Sequence, residues 1–171
     1  QTALWQITHA MLRWMAPFLS FTAEEAWKVF GGSESIFLET YAQLPAADDA
    51  LLAKWARIRE IRDLANKEIE AVRTAGQVGS SLQANLKITA GAADHALLAA
   101  LGDDLRFVTI TSAATLIAGA QLAVAVTPSA AQKCDRCWHW RDDVGHDAAH
   151  PSICGRCTSN LYGSGEARKV A

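Results

Sequence analysis

The chain has 171 residues, of which half are hydrophobic and a fifth are charged, and this globular composition excludes a wholly disordered protein. The formal net charge of −2 excludes a generally basic nucleic-acid coat but not a local contact surface. No apolar run approaches the roughly 20 residues that a membrane span needs, and no secretory leader pattern is recognisable. We therefore expect a cytoplasmic protein with no membrane partner.

Two helices are predicted near the start of the chain. Apolar residues that recur at steps of three and four predict a helix from Leu4 that ends or kinks at Pro17, with one buried face formed by Leu4, Ile7, Met11, Trp14 and Phe18. The sequence Thr22-Ala23-Glu24-Glu25 is a capping box and predicts that a second helix begins there. This helix is expected to end at the glycine pair Gly31-Gly32.

A longer third helix is predicted from about Asp48 to Gly76. Its apolar stripe consists of Leu51, Trp55, Ile58, Ile61, Ala65, Ile69 and Val72. The charged residues between these positions are interpreted as a solvated face. The alternative interpretation is that Arg57, Arg59 and Arg62 contact phosphates, although acidic residues stand among them.

The period of the apolar pattern changes from 3.6 to 2 near residue 80. Beyond this point short strands are predicted at 85–89, 106–111 and 122–127. A helix is predicted at 94–101, between the first strand and the second. The predicted fold class is mainly α. A helical bundle (1–80) precedes a small α+β junction module (81–130) and a C-terminal four-cysteine segment (131–171).

Four cysteines carry the strongest chemical signal. They form two Cys-x2-Cys pairs separated by sixteen residues, Cys134, Cys137, Cys154 and Cys157. Zinc prefers four soft ligands in a tetrahedron, and four protein ligands leave no position for water or substrate, so we predict one structural zinc ion. The alternatives are a redox pair, disulfides, or replacement of one cysteine ligand by His139, His146 or His150.

Two tryptophans flank His139 directly after the first cysteine pair. One interpretation is that they form the small core of this segment, and the other is that they stack on unpaired bases. The candidate nucleic-acid-binding residues are these tryptophans and the nearby basic side chains: Arg136, Trp138, Trp140, Arg141, Arg156, Arg168 and Lys169. Acidic residues nearly balance the basic ones, so binding is expected to depend on shape.

No catalytic motif is present in the sequence. A glycine-rich phosphate loop, a nucleophile elbow and a His-Glu-x-x-His helix are all missing, so no catalytic residue is assigned. The chain begins with Gln1 and a helical pattern is already running within a few residues. We therefore expect a fragment of a larger protein.

Several stretches resemble one enzyme family. Residues 12–27 (LRWMAPFLSFTAEEAW) resemble the anticodon-binding helical domain of class I synthetases of the isoleucine, valine and leucine group. Residues 61–67 and 79–84 resemble the "R-D-x-x-N-K" and "G-x-S-L-x-A" motifs of isoleucyl-tRNA synthetases. The zinc segment of the bacterial enzymes is similar to residues 133–140 (KCDRCWHW), 153–157 (ICGRC) and the ending GEARKVA.

The resemblance implies that the intact protein activates isoleucine with ATP and transfers it to the 3′ end of its tRNA. It implies that catalytic and editing domains lie upstream, because neither a HIGH nor a KMSKS motif occurs here. The helical domain would bind the anticodon stem-loop, and the zinc segment would be needed for aminoacylation of the tRNA. We expect a monomer whose isolated 171 residues are inactive and bind no ATP.

Two other classes of function stay open at this point. The cysteine segment also resembles the zinc finger of formamidopyrimidine-DNA glycosylases, which favours a free-standing nucleic-acid-binding module but leaves residues 1–90 unexplained. A protein-docking domain fits the nearly neutral charge. Binding of isoleucine tRNA rather than duplex DNA would separate the first two classes, and binding of neither would favour the third.

Overall fold

The computed structural model describes residues 2–166 of the chain. The chain divides into two compact units, Gln1–Asp49 and Ala50–Ala171. No helix in the described part is both long enough and apolar enough to cross a membrane.

The first unit is built from two helices, α1 (Thr2–Met15) and α2 (Ser20–Phe30), followed by a short 3₁₀ turn at Ile36–Leu38. Where they meet, these elements bury a small hydrophobic core that consists of Leu12, Ala16, Ala23, Trp27 and Ile36. The indole of Trp27 also donates a hydrogen bond of 3.1 Å to the carbonyl of Glu34. The tryptophan therefore holds the loop after α2 against both helices.

The face predicted to be buried on α1 is exposed within this unit. Its residues are between 44% and 72% exposed, namely Leu4, Ile7, Met11, Trp14 and Phe18, whereas the core takes Ala10 and Leu12. The prediction was wrong because α1 carries apolar residues on two sides, and periodicity alone does not say which side is covered.

The predicted capping box of α2 does not form. The helix begins at Ser20, and no side chain caps its N-terminus. The Glu24 carboxylate instead accepts the backbone N–H of Ile36 at 2.9 Å and the hydroxyl of Ser35 at 3.1 Å. The bond from Ile36 is the main reason that the pKa of Glu24 is lowered. The predicted C-terminus is confirmed, since Gly31 ends α2 with a left-handed φ of 111°.

The second unit begins with the long helix α3 (Asp49–Thr74). Gly76 follows α3 with a φ of 73°, and the N–H of Gln77 bonds the carbonyl of Val72 at 3.1 Å, which confirms the predicted glycine cap. The remaining elements are β1 (Ala84–Ala90), α4 (Ala92–Ala99), α5 (Leu105–Thr109), β2 (Ala113–Ala118), β3 (Ala123–Pro128), β4 (Gln132–Lys133), β5 (Trp140–Arg141) and α6 (Gly155–Tyr162), with 3₁₀ turns at Ser81–Gln83 and Gly102–Asp104.

A three-stranded sheet in the order β2-β1-β3 organises the middle of this unit. Strand β1 pairs in parallel with β2, so that Asn85 lies opposite Ala113, and antiparallel with β3, so that Leu86 lies opposite Val126. The helical connection through α4 and α5 is what a parallel pair requires. The two-residue strands β4 and β5 form a separate antiparallel hairpin.

The main hydrophobic core joins α3 to this sheet. Four of the residues predicted as its stripe, Ile58, Ile61, Ala65 and Ile69, pack with Ala84, Leu86, Ile88, Leu98, Leu101 and Leu105. The stripe is therefore confirmed over its central turns, while Leu51 at its start is 48% exposed. The core runs across residue 80, where the change of period lies.

The strand predicted at 106–111 is a helix in the structure. The segment is rich in β-branched and aromatic residues, which favour strands, but α5 forms there because Leu105 turns into the core. Ile110 then ends α5 with a φ of 55°, an unusual conformation for a β-branched residue. The strand that pairs with β1 begins a few residues later, at Ala113 in β2.

Candidate metal centre and nucleic-acid interface

The four cysteines of the two Cys-x2-Cys pairs meet in one cluster. Their sulfur atoms all lie within 4.8 Å of one another, and the Sγ–Sγ distances of Cys134–Cys157 and Cys137–Cys154 are both 3.8 Å. Four sulfurs placed tetrahedrally about 2.3 Å from a zinc ion are separated by about 3.8 Å, whereas a disulfide needs about 2.05 Å. The spacing therefore fits a four-thiolate metal centre and excludes disulfides.

Two small motifs of the chain position the sulfurs. The first pair lies in the hairpin of β4 and β5, which is closed by the N–H of Trp138 on the carbonyl of Cys134 and by the N–H of Cys134 on the carbonyl of His139, both at 2.9 Å. The second pair lies at the start of α6, where Cys154 precedes the first helical residue. The N–H of Cys154 donates to the sulfur of Cys134 at 3.3 Å.

The pKa values of three thiol groups of the cluster are shifted, and not all in the same direction. Burial opposes ionisation of Cys134, but backbone N–H groups of Cys137, Cys154 and Arg136 outweigh it and lower its pKa to about 6. Burial raises the pKa of Cys137 and of Cys154. A divalent cation favours the thiolate form of all four groups, and the guanidinium of Arg136, which donates to the sulfur of Cys157 at 3.6 Å, compensates part of the resulting negative charge.

No histidine in the described part of the chain joins this cluster. The Nδ1 atom of His139 lies 3.1 Å from the carbonyl of Cys137, and burial is the main cause that lowers the pKa of this histidine. Because a carbonyl only accepts, Nδ1 carries the proton in that hydrogen bond. The ring of His150 instead stacks on Tyr162 with a centroid distance of 3.8 Å. The geometry favours four sulfur ligands over a mixed set.

The cysteine segment contacts the sheet module through Ser112 and through Phe107. The buried hydroxyl of Ser112 accepts the N–H of Trp140 and donates to the carbonyl of Leu82, in both cases at 2.5 Å. The ring of His139 packs edge-to-face on Phe107 of α5, with a centroid distance of 5.4 Å. The metal cluster is therefore connected to the sheet through Ser112 and to α5 through His139.

The two candidate tryptophans have different surroundings. Trp138 is 60% exposed and has a left-handed φ of 64°, which breaks the alternation that would place both rings on one side. The ammonium of Lys133 lies over its ring, 5.7 Å from the centroid. Trp140 is half-buried on β5. Trp138 is thus the better placed of the two to meet a ligand, and Lys133 is a neighbour that the sequence did not single out.

Most candidate arginines already have partners. Arg156 donates two hydrogen bonds to Glu166, and the guanidinium of Arg141 lies 3.6 Å from Asp143. Arg136 contacts the sulfur of Cys157, as described above. Arg168 and Lys169 lie outside the described residues. In α3, two parallel hydrogen bonds of 2.8 and 2.7 Å join Arg57 to Asp94, so this arginine is engaged in the fold.

We expect the cysteine cluster to carry zinc in stoichiometric amount. Elemental analysis of the chain purified without added metal should give about one zinc per chain, because four thiolates at this spacing satisfy the tetrahedral preference of the ion. The Cys137→Ser variant should lose most of the metal, while Ser152→Ala, an exposed change in the same segment, should keep it. Four freely titratable thiols in the wild-type chain would contradict this expectation.

Two known families match separate parts of the chain. The family described as the anticodon-binding domain of tRNA ligase matches residues 1–89. The zinc finger found in FPG and IleRS matches residues 131–160, a range that includes all four cysteines of the cluster. Two matched segments on one chain define an anticodon-binding and zinc-binding segment of a tRNA ligase.

The chain belongs to the isoleucine–tRNA ligase family. It is 57% identical to the isoleucine–tRNA ligase of Ralstonia pickettii (strain 12J), 56% identical to that of Cupriavidus taiwanensis and 57% identical to that of Bordetella petrii. Each alignment covers the whole of this chain but only 19% of the relative. The chain thus spans about a fifth of the length of the curated relatives that it matches.

Proposed function

We propose that this chain is the tRNA-binding C-terminal part of an isoleucine–tRNA ligase, and that the intact enzyme attaches isoleucine to its tRNA with the use of ATP. The observation that carries the proposal is the tetrahedrally spaced cysteine cluster within the matched zinc finger, on the same chain as the anticodon-binding match. The alternative of a free-standing DNA-glycosylase-type finger leaves that second match unexplained.

In this proposal Cys134, Cys137, Cys154 and Cys157 hold one zinc ion with a structural role. When bound, the ion would cross-link the two chain segments that carry the cysteine pairs. Four thiolates would fill its coordination shell, so no position would be open for a substrate. The chain's own residues then present the hairpin of β4 and β5 in a fixed orientation. The support for this role is that three of the four cysteines are fully buried and that the hairpin is tied to Ser112.

The distribution of charge suggests where the RNA lies. Residues 1–49 contain two basic side chains against six acidic ones, whereas residues 50–171 contain fourteen basic and twelve acidic side chains. A four-thiolate zinc centre adds about −2, so the second unit is nearly neutral, whereas the first unit carries an excess of acidic groups that repels a polyanion. We therefore place the phosphate contacts mainly on the second unit, and base stacking on the exposed ring of Trp138.

The remaining parts of the proposal concern roles and partners. Residues 1–80 contribute to anticodon binding, 81–130 form a junction and 131–171 form the zinc segment; these are divisions of role, since α3 shares its core with the sheet. The partners are isoleucine tRNA and the catalytic domain of the same longer chain. We propose a monomeric, cytoplasmic enzyme whose catalytic domain alone binds ATP.

Electrophoretic mobility shift with the 171-residue chain tests the proposal. Isoleucine tRNA should be shifted at concentrations at which a duplex DNA of similar charge is not, with both measured at the same stated salt concentration. ATP–pyrophosphate exchange with isoleucine should stay at background. Preferential binding of the duplex would favour the glycosylase-type finger, and binding of neither nucleic acid would favour a protein-docking domain.

Replacement of Trp138 by alanine is expected to weaken tRNA binding by about tenfold or more, because stacking of one base contributes roughly 1–3 kcal/mol. Stability should change little, since the ring is exposed. Fluorescence anisotropy with labelled tRNA measures the affinity. Trp138→Phe, which keeps an aromatic face, should retain much of this affinity. Equal affinities of the alanine variant and the wild type would remove Trp138 from the site.

A further inference from the structure

Arg106 on α5 lies outside both matched ranges, 1–89 and 131–160. Among the residues that the structure describes, its guanidinium forms no hydrogen bond or ion pair. It packs over the ring of Phe107 instead, 4.8 Å from the centroid, and the side chain is partly buried. The guanidinium is therefore partly desolvated, and no carboxylate of the described residues is paired with it directly.

Other arginines surround the same aromatic ring. The guanidinium of Arg156 also lies 4.8 Å from the centroid of Phe107. Burial and then the nearby charge of Arg141 lower the pKa of Arg106, and Arg156 adds to this repulsion. Asp103 and Glu166 attract Arg106 from a distance, but Glu166 is bonded to Arg156. The local arrangement therefore favours the arrival of a further anion.

The position of Arg106 relative to the zinc segment indicates the kind of anion. Phe107 touches His139, and His139 directly follows Trp138, the exposed ring proposed to stack on a base. The exposed ring of Trp138 and the contact with α5 thus belong to neighbouring residues of one hairpin. The planar edge of a guanidinium fits a phosphate group, and stacking on Phe107 leaves that edge free to donate.

We infer that Arg106 binds a phosphate of the tRNA backbone at the junction between α5 and the zinc segment. This inference rests on the proposed function and adds to it a contact in the segment that neither family match covers. Arg141 adds to the local positive potential. Its guanidinium is not tightly paired, since it lies 3.6 Å from the carboxylate of Asp143. A phosphate contact does not distinguish one base from another, so its contribution to the binding free energy is the same for any base at that position.

The test uses the 171-residue, zinc-loaded chain and labelled isoleucine tRNA in anisotropy titrations between about 0.1 and 1 M salt. Arg106→Gln should bind about tenfold more weakly than the wild type at the lower salt and nearly as well at the higher, because loss of one phosphate contact reduces the slope of log K against log salt by about one. Arg106→Lys, which keeps the charge, should recover most of the slope. The control is Lys87→Gln, the same loss of one positive charge at an exposed position of β1 in the junction.

Each result separates the inference from the proposed function. If the wild type binds tRNA and Arg106→Gln behaves like Lys87→Gln, the inference is overturned and the proposed function stands. If Arg106→Gln weakens binding equally at all salt concentrations, its effect is not a phosphate contact and the inference also fails. If the wild type does not bind tRNA, both fail. Circular dichroism and zinc content of each variant exclude misfolding as the cause.

Discussion

The Cys154→Ser variant, purified without added zinc, is expected to unfold between about residue 134 and residue 162 while α1 and α2 stay intact. Structural zinc contributes about 10–16 kcal/mol in zinc-finger peptides near pH 7, and few other side chains are buried in this segment: Val144 and the cysteines form its small cluster, with Ile153 against them. Ordering nearly thirty residues costs about 1.5 kcal/mol of conformational entropy for each residue, and these few buried side chains do not offset that cost without the metal.

Amide hydrogen exchange of the wild type and of Cys154→Ser measures this effect. Protection should be lost in β5 and α6, should weaken around Ser112, whose hydroxyl loses the N–H of Trp140, and should persist in α3 and β1. Thr158→Ser, a conservative change on α6, is the matched control. If the segment stays protected without zinc, the cluster does not supply its folding free energy. If α3 and β1 lose protection together with it, the segment is part of the main core rather than docked beside it.

The second large effect is expected from Ile61→Ala. Ile61 is 1% exposed in the core between α3 and the sheet, and removal of a buried isoleucine side chain down to alanine costs about 2–5 kcal/mol of unfolding free energy. Ile7→Ala on α1 is the matched control, because Ile7 is 51% exposed and its loss should cost within about 0.5 kcal/mol.

Urea unfolding, with exchange measured at β1 amides, tests whether the core crosses residue 80. Ile61→Ala should lower the protection of β1 as much as that of α3, because both sides of one core lose the same packing. Protection lost in α3 alone would show that the helix and the sheet are separate units. Equal destabilisation by the two isoleucine variants would show that the exposed face of α1 is buried in solution.

The sequence allowed the meeting of the four cysteines and the stripe of α3 to be predicted because both follow from local spacing. Two Cys-x2-Cys pairs have few structural solutions, and a stripe flanked by charged residues has one buried side. The face of α1 could not be predicted, since both of its sides are apolar and the choice depends on what packs against it. The helix at α5 was missed because tertiary burial of Leu105 overrides the β propensity of the segment.

The nucleic-acid interface stays a prediction, and there is a physical limit to what sequence says about it. Sequence shows which residues are basic but not which of them are already paired. Arg156 is therefore a candidate for tRNA binding from the sequence, although it forms an ion pair with Glu166 in the structure. Arg106 was overlooked because it lies in a segment that predicts a strand and contains no motif. Its significance comes from contacts with Phe107 and from the arginines brought beside it by folding.

The most direct test of the account compares isoleucine tRNA with a tRNA of the same body whose anticodon triplet is replaced. Anisotropy titrations with the zinc-loaded chain should show strong binding of the first and a loss of about 1–3 kcal/mol for each replaced anticodon base whose edge the chain reads by hydrogen bonds, because stacking alone tolerates any base. The Cys154→Ser variant should bind both weakly and with little preference. Equal affinity of the wild-type chain for the two tRNAs would contradict anticodon recognition by this part of the enzyme.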